Sequence, residues 1–155
     1  MKEEALLKKK ADIIGQVFCS ANMLQFISDR SFKEDNLTTK QWMLLATMEK
    51  FFDEPPGIKD LASKMGLSHQ NVKQLALKLE KSGFVRLIKD DKDKRISRIH
   101  RTDKVERVFG ARYHKDKDMI ERIFEEFEPV EIISLFDGLN KLIDKLSEVD
   151  GKNSF

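Results

Sequence analysis

The stretch "IKDLASKMGLSHQNVKQLALKLEKSGFV", residues 58–85, decides the fold. It contains two short runs with the apolar spacing of helices, separated by the turn "MGLS" at residues 65–68. Gly66 permits the positive φ needed where the first run ends, Ser68 can cap the second run, and Gly83 stops it. Ala62 supplies the small side chain that two steeply crossing helices need at their closest approach. The stretch therefore predicts a helix-turn-helix unit.

The second run presents a polar outer face. Its inner face is expected to anchor on the first helix through Val72 and Leu75, with Leu61, Leu67 and Leu79 completing a small core. The side chains left on the outside are Ser68, His69, Gln70, Asn71, Lys73, Gln74 and Lys78. Amide side chains can read adenine edges, and lysine can bind guanine or phosphate. The pattern predicts a DNA-recognition helix over residues 68–82 that enters the major groove, although an ordinary polar helix face has the same composition.

A predicted β-hairpin follows at residues 84–101. The segments "FVRLI" (84–88) and "ISRIHR" (96–101) contain β-branched residues, and they bracket the charged centre "KDDKDK" (89–94). A helix-turn-helix followed by a basic hairpin is a winged arrangement. The alternative is a solvated turn whose charges cancel one another.

The flanking segments predict long helices. Helical spacing covers residues 2–30, residues 102–127 with Thr102 as cap, and the chain after Pro129. The stretch "LTTKQWMLLATMEKFF" (37–52) begins a shorter helix that Thr38 or Thr39 can cap. The outer helices carry more apolar surface than a small lobe can cover. We therefore expect a mainly α fold with a small hairpin wing: a DNA-binding lobe at 37–104, a helical dimerisation region at 1–36 and 105–150, and a flexible tail at 151–155. An intramolecular helical bundle is the alternative to a dimer.

Charge and composition narrow the function classes. Residues 58–104 hold 13 Lys and Arg against 6 Asp and Glu, whereas the rest of the chain holds 16 against 21. A basic middle between acidic flanks favours a polyanionic partner.

We expect no membrane span, because no long apolar run exists, and the single cysteine is consistent with the cytoplasm. Without a phosphate-binding glycine loop, a metalloprotease motif or a nucleophile elbow, we expect neither an enzyme nor a cofactor or metal.

These segments resemble the MarR family of bacterial transcriptional regulators. "LTTKQWMLLATM" (37–48) is similar to the family's entry into its DNA-binding lobe, residues 58–85 to its two-helix unit and first wing strand, and "DDKDKRISRIHRTDK" (90–104) to its wing. The resemblance covers residues 37–104, with compatible helices on both sides. The chain departs from the family pattern at Asp91, where proline is usual, at Lys94 for arginine, at Arg101 for leucine, and at Val105 for glycine.

The resemblance implies specific roles. Asp93 would orient Arg95 for insertion into a minor groove, where a narrow groove concentrates negative potential. Lys92, Lys94 and Arg98 would add attraction for phosphates. The resemblance also implies a homodimer that binds a pseudo-palindromic operator as a repressor, with release by a small aromatic ligand.

Three alternatives stay open at this point. Cys19 lies in the first helix, broadly where oxidant-sensing relatives carry their cysteine, but a buried structural thiol is the simpler interpretation. His114 and Asp118 are spaced so that they can hold a divalent ion, although a solvated helix face is the simpler interpretation. Finally, the winged helix can serve as a protein-interaction adaptor that does not bind DNA.

Overall fold

The computed structural model describes residues 2–152, with side chains described for residues 3–149. The elements are α1 (Lys2–Phe32), a 3₁₀ turn (Lys33–Asp35), α2 (Thr39–Phe51), α3 (Ile58–Met65), α4 (His69–Lys81), β1 (Val85–Lys89), β2 (Ser97–Arg101), α5 (Asp103–Ile123) and α6 (Pro129–Lys152). This is the predicted fold class, mainly helical with one two-stranded antiparallel hairpin.

The chain divides into two compact units, and the division falls between Phe109 and Gly110, inside α5. The first unit contains α1 to α4, the hairpin and the first turns of α5; the second contains the remainder of α5 and α6. The predicted dimerisation region, residues 1–36 and 105–150, includes residues from both units. Its role in dimerisation stays a prediction. Helix α6 continues to Lys152, two residues into the predicted tail, and residues 153–155 lie outside the described part.

Helix α2 begins in a network of side-chain hydrogen bonds. Of the two candidate caps, Thr38 is the one used: its hydroxyl accepts from the Gln41 amide at 3.3 Å, and the Gln41 side chain accepts from the Thr38 amide at 2.8 Å. The amide and hydroxyl of Thr39 both donate to Oδ1 of Asp29, at 2.6 and 2.7 Å, which ties α1 to α2. These two bonds lower the pKa of the Asp29 carboxyl below its usual value.

The helix-turn-helix has the local geometry that the sequence predicts. Gly66 has φ 61° at the end of α3, and Gly83 has φ 78° just beyond α4. The Ser68 hydroxyl accepts from the amide of Asn71 at 3.2 Å and caps α4. The helix predicted over residues 68–82 is therefore confirmed as α4 with its two caps, and its role in DNA recognition stays a prediction.

The inward face of α4 differs in one position from the predicted core. Val72, Ala76 and Leu79 are fully buried, at the spacing i, i+4 and i+7. Leu75, predicted as an anchor, is only half-buried because it lies at the edge of that stripe. Leu61 is fully buried as predicted, while Leu67 in the turn is half-buried.

The hairpin pairs β1 with β2 from Val85 opposite Arg101 to Lys89 opposite Ser97. Ile99 is completely buried on its inner face. A second, shorter pairing joins β2 to the loop between α2 and α3, where Gly57 bridges Arg98 and the amide of Ile99 donates to the carbonyl of Pro56 at 2.9 Å. The wing is therefore attached to the lobe along its second strand, a connection that the sequence analysis did not predict.

Thr102 directly precedes α5, at the position where the sequence predicts a cap, and its hydroxyl donates to the carbonyl of Gly83 at 2.7 Å, which joins β2 to the end of α4. One prediction about α5 is wrong. The helix ends at Ile123 and not at Phe127, because residues 124–127 form a turn closed by the Phe127 amide and the Phe124 carbonyl. Pro129 then starts α6 as expected.

Candidate nucleic-acid interface

The outer face of α4 is open to solvent along its whole length. All seven side chains predicted to face outward are exposed: Ser68, His69, Gln70, Asn71, Lys73, Gln74 and Lys78. The buried stripe of Val72, Ala76 and Leu79 fixes this orientation, because it holds the opposite side of the helix in the core. The helix thus presents amide, imidazole and amine groups on a rigid support.

A shallow cleft extends this surface onto α2. It has a volume of about 220 Å³ and is lined by Lys40, Leu67, Asn71, Gln74, Leu75 and Lys78. Lys40 was not among the predicted site residues. A signal for it exists in the sequence: α2 has no acidic residue in its first turn, where the helix dipole favours negative charge. A lysine in that position adds positive charge to a helix end that already attracts anions.

The wing tip holds Arg95 in a defined direction. Its Nε and Nη2 atoms donate to the two carboxylate oxygens of Asp93, both at 2.9 Å, and its backbone amide donates to Asp93 Oδ1 at 3.0 Å. The predicted pairing of Asp93 with Arg95 is confirmed. The contact lowers the pKa of Asp93 and raises that of Arg95. The Arg95 side chain remains 90% exposed, so it projects from the wing with its outer edge free for a ligand.

The other charges of the tip have separate roles. Asp91 contacts Lys94 at 3.3 Å, and both side chains are well exposed. Lys92 is also exposed. Arg98, in contrast, is half-buried and directed into the protein, with its Nε 2.7 Å from Asp90 Oδ2. Its guanidinium is engaged at the base of the tip, and its predicted contact with phosphate stays a prediction.

The departures from the family pattern at the wing root have a structural reason. Arg101 contacts Glu49 of α2 at 3.2 Å and Glu106 of α5 at 3.3 Å. A leucine there could not join these two carboxylates. Val105 is completely buried, where it adds apolar side chain to the core that a glycine would lack.

A groove of about 720 Å³ lies beside the wing root, lined by Glu80, Gly83, Val85, Arg86, Ile88, His100, Arg101, Thr102, Asp103, Lys104 and Arg107. Its lining mixes basic and acidic groups, which differs from the apolar lining typical of sites for aromatic ligands. The groove therefore gives no support to the predicted aromatic ligand.

The remaining candidate residues are not gathered into a site. Cys19 is exposed on α1 of the single chain, and both interpretations of this thiol stay predictions. In the part of the chain that the structure describes, no three His, Cys, Asp or Glu side chains lie together as metal ligands would. Between residues 2 and 152, no helix combines the length and the apolarity that crossing a bilayer requires.

Helices α2, α3 and α4, followed by a β-hairpin that is attached to the lobe along one strand, define a winged helix-turn-helix protein. Known proteins share this arrangement. A family model described as the MarR family matches residues 35–96. An uncharacterized HTH-type transcriptional regulator of Bacillus subtilis, YfiV, is 33% identical over 85 residues, which cover 55% of this chain and 53% of that protein. The chain thus spans about half the length of that relative.

Solved structures extend the likeness to the whole fold. A MarR protein from Peptoclostridium difficile has a TM-score of 0.82 at 22% identity, and the match covers 91% of each chain. The structure of reduced AbfR bound to DNA has a TM-score of 0.76 at 20% identity and covers 94% of this chain and 99% of that one. Residues 35–96 thus match the MarR family model, and the fold of the chain is that of a solved MarR protein, in agreement with the resemblance seen in the sequence.

Proposed function

We propose that this protein is a sequence-specific DNA-binding regulator in which α4 enters the major groove and the wing, residues 84–101, reaches an adjacent minor groove. The observation that carries the proposal is the combination of an exposed amide-rich face on α4 with an arginine that Asp93 already orients. Amides and lysines on α4 can bind base edges. The Arg95 guanidinium suits the negative potential of a narrow minor groove.

Phosphate contacts would add affinity without specificity. Lys40, Lys73 and Lys78 are exposed around α4, and Lys92 and Lys94 are exposed on the wing. Lys40 and Lys78 line the same cleft, so a phosphate group seated there can be approached from two sides. Because the target is chromosomal DNA, we expect the protein to work in the cytoplasm.

Two copies are expected to act together. Helix α6 exposes an apolar face at helical spacing, including Phe136 at 62%, Ile143 at 58% and Leu146 at 55%. Helix α1 does the same with Leu7 at 66% and Phe18 at 69%. Monomeric proteins rarely expose apolar surface of this extent, which supports burial of both faces in a homodimer. A two-fold dimer places two α4 helices about one DNA turn apart, so the operator should be a pseudo-palindrome.

Repression is the simplest consequence of such binding, since a dimer that occupies a promoter excludes the polymerase. A promoter–reporter fusion that carries the operator tests whether the protein represses or activates transcription. Expression should fall when the protein is present and recover with the Arg95→Ala variant. A rise in expression with the wild-type protein would make it an activator.

Fluorescence anisotropy with labelled duplex DNA tests the proposal and distinguishes it from the protein-interaction adaptor. A DNA-binding protein should bind duplex at low salt, and its affinity should fall steeply as salt rises. Arg95→Ala should weaken binding while light scattering still gives about twice the 18.1 kDa chain mass. An adaptor would bind no duplex even at low salt, and a mass near 18.1 kDa with intact binding would rule out the dimer.

A further inference from the structure

The carboxylate of Asp90 organises the backbone of the wing tip. Its Oδ1 accepts from the amides of Lys92 and Asp93, both at 2.9 Å, and its Oδ2 accepts from Nε of Arg98 at 2.7 Å. The Asp90 side chain is only 16% exposed, although it lies in a charged surface turn. The backbone amide of Asp93, followed by the Arg98 side chain, lowers the pKa of Asp90 to about 2.

Arg98 connects this carboxylate to the body of the lobe. Its Nη1 donates to the carbonyl of Pro55 at 3.4 Å, and its backbone pairs with Gly57. Pro55 and Gly57 belong to the loop between α2 and α3, which is separated from Arg98 by about forty residues of chain. The wing tip is therefore attached to the lobe through the Arg98 side chain as well as through the backbone of β2.

The same chain of bonds reaches Arg95. Asp90 fixes the amide of Asp93. The Asp93 carbonyl accepts from the Ile96 amide at 2.9 Å, and the Ile96 carbonyl accepts from the Asp90 amide at 3.0 Å, which closes the turn. The Asp93 carboxylate then holds the Arg95 guanidinium through two bonds. The direction of Arg95 depends on the placement of Asp93, which depends in turn on Asp90.

We infer that Asp90 and Arg98 are positioning residues for DNA binding, which hold the wing tip so that Arg95 is presented to the minor groove without reordering. This inference rests on the proposed function. In this inference Arg98 acts by its contacts within the protein and does not bind phosphate. Asp90 strengthens DNA binding although its carboxylate carries the same negative charge as DNA.

The direction in which DNA affinity changes when Asp90 is removed distinguishes a positioning role from a purely electrostatic one. Removing a negative charge near DNA strengthens binding if charge alone matters, because repulsion with the phosphates is relieved. Positioning predicts the opposite for Asp90→Ala. Arg98→Lys keeps the positive charge but loses the planar fork that reaches both Asp90 and Pro55. Electrostatics therefore predicts no change for Arg98→Lys, and positioning predicts weaker binding.

Asp91→Ala is the matched control. Asp91 is adjacent to Asp90, carries the same charge and is fully exposed, and its carboxylate contacts Lys94. Its removal should leave DNA affinity unchanged or raise it. The wild type, Asp90→Ala, Arg98→Lys and Asp91→Ala are compared by anisotropy on a duplex selected from a random pool, and on random-sequence duplex.

A double-mutant cycle with Arg95→Ala provides the second readout. In the wild-type background, Arg95→Ala should weaken binding; in the Asp90→Ala background, the same change should weaken it less, by a coupling factor of about threefold or more. Hydrogen exchange at the amides of Lys92 and Asp93 should also accelerate in Asp90→Ala. Asp90→Asn keeps an acceptor for these amides and serves as the second variant if Asp90→Ala does not fold.

The inference is overturned if Asp90→Ala binds like Asp91→Ala, if Arg98→Lys binds like the wild type, or if the Asp90 and Arg95 losses are additive. Failure of the wild type to bind any duplex at low salt would instead remove the proposed function, and the inference with it. Wild-type binding that depends on Arg95 but not on Asp90 would remove the inference alone.

Discussion

Lys40 provides a quantitative test of the DNA-facing surface. It is exposed at the start of α2 and lines the same cleft as Asn71, Gln74 and Lys78 of α4. If the cleft receives a phosphate, Lys40→Gln removes one ionic contact in each protomer while keeping a long polar side chain. The loss should appear as a weaker salt dependence and not as a changed sequence preference.

The expected change in the salt dependence of DNA affinity follows from the release of counterions from the phosphates. Each phosphate contact contributes about 0.9 to the slope of log affinity against log salt concentration, so two protomers should reduce the slope by about 1.8. A fourfold increase in salt, from about 50 to about 200 mM, should therefore reduce the ratio of wild-type to variant affinity about twelvefold. The variant should bind more weakly at low salt and approach the wild type as salt rises.

The assay is a salt titration by anisotropy, on selected and on random duplex. The matched control is Lys145→Gln, which removes the same charge from α6, where Lys145 is paired with Glu148 at 2.6 Å and is 67% exposed. Its slope should equal that of the wild type. A Lys40→Gln slope equal to the control's slope would refute the assignment of Lys40 to the interface.

Three further predictions concern stability and base recognition. Asp29→Ala should lower the free energy of unfolding by about 1–2 kcal/mol at neutral pH through loss of its two bonds to Thr39. The exposed Asp12→Ala on the same helix is the control, and an equal small loss in both variants would contradict this. Because the folded-state pKa of Asp29 lies below 3.8, the wild-type advantage is present above that pH and should shrink as the pH falls through the folded pKa. Leu79→Ala should cost about 2–5 kcal/mol in chemical denaturation, since Leu79 is fully buried, and a loss under about 1 kcal/mol would show that this core collapses to fill the space. Gln70→Ala should cost about 1–3 kcal/mol on the selected duplex, whereas an equal loss on random duplex would show that Gln70 does not read a base.

The local parts of the fold could be predicted from sequence because single residues determine them. Gly66 and Gly83 have the positive φ angles that their positions require, and Ser68 caps α4. The Asp93–Arg95 pair is also local, two residues apart, and the resemblance to the family implied it. These features need no knowledge of how distant segments meet.

The missed features depend on contacts between distant segments. Helical periodicity cannot decide whether Leu75 or Ala76 lies deeper, because both are near the inner face and the packing of α4 against the rest of the core decides it. The sequence also does not show that Arg98 contacts both Asp90 and the carbonyl of Pro55, which lies 43 residues away in the chain. Lys40 was missed, although α2 carries no acidic residue in its first turn, because only the packing of α2 beside α4 brings it to the polar surface of α4.

Selection from a random-sequence duplex pool with the full-length chain tests the central claim most directly. The recovered DNA should contain a pseudo-palindrome whose half-sites are centred about 10 base pairs apart, or a multiple of that spacing, since two α4 helices enter successive major grooves. Gln70→Ala should relax the preference at the same position of both half-sites. Recovery of unrelated sequences, with equal affinity for selected and random duplex, would contradict sequence-specific recognition by α4.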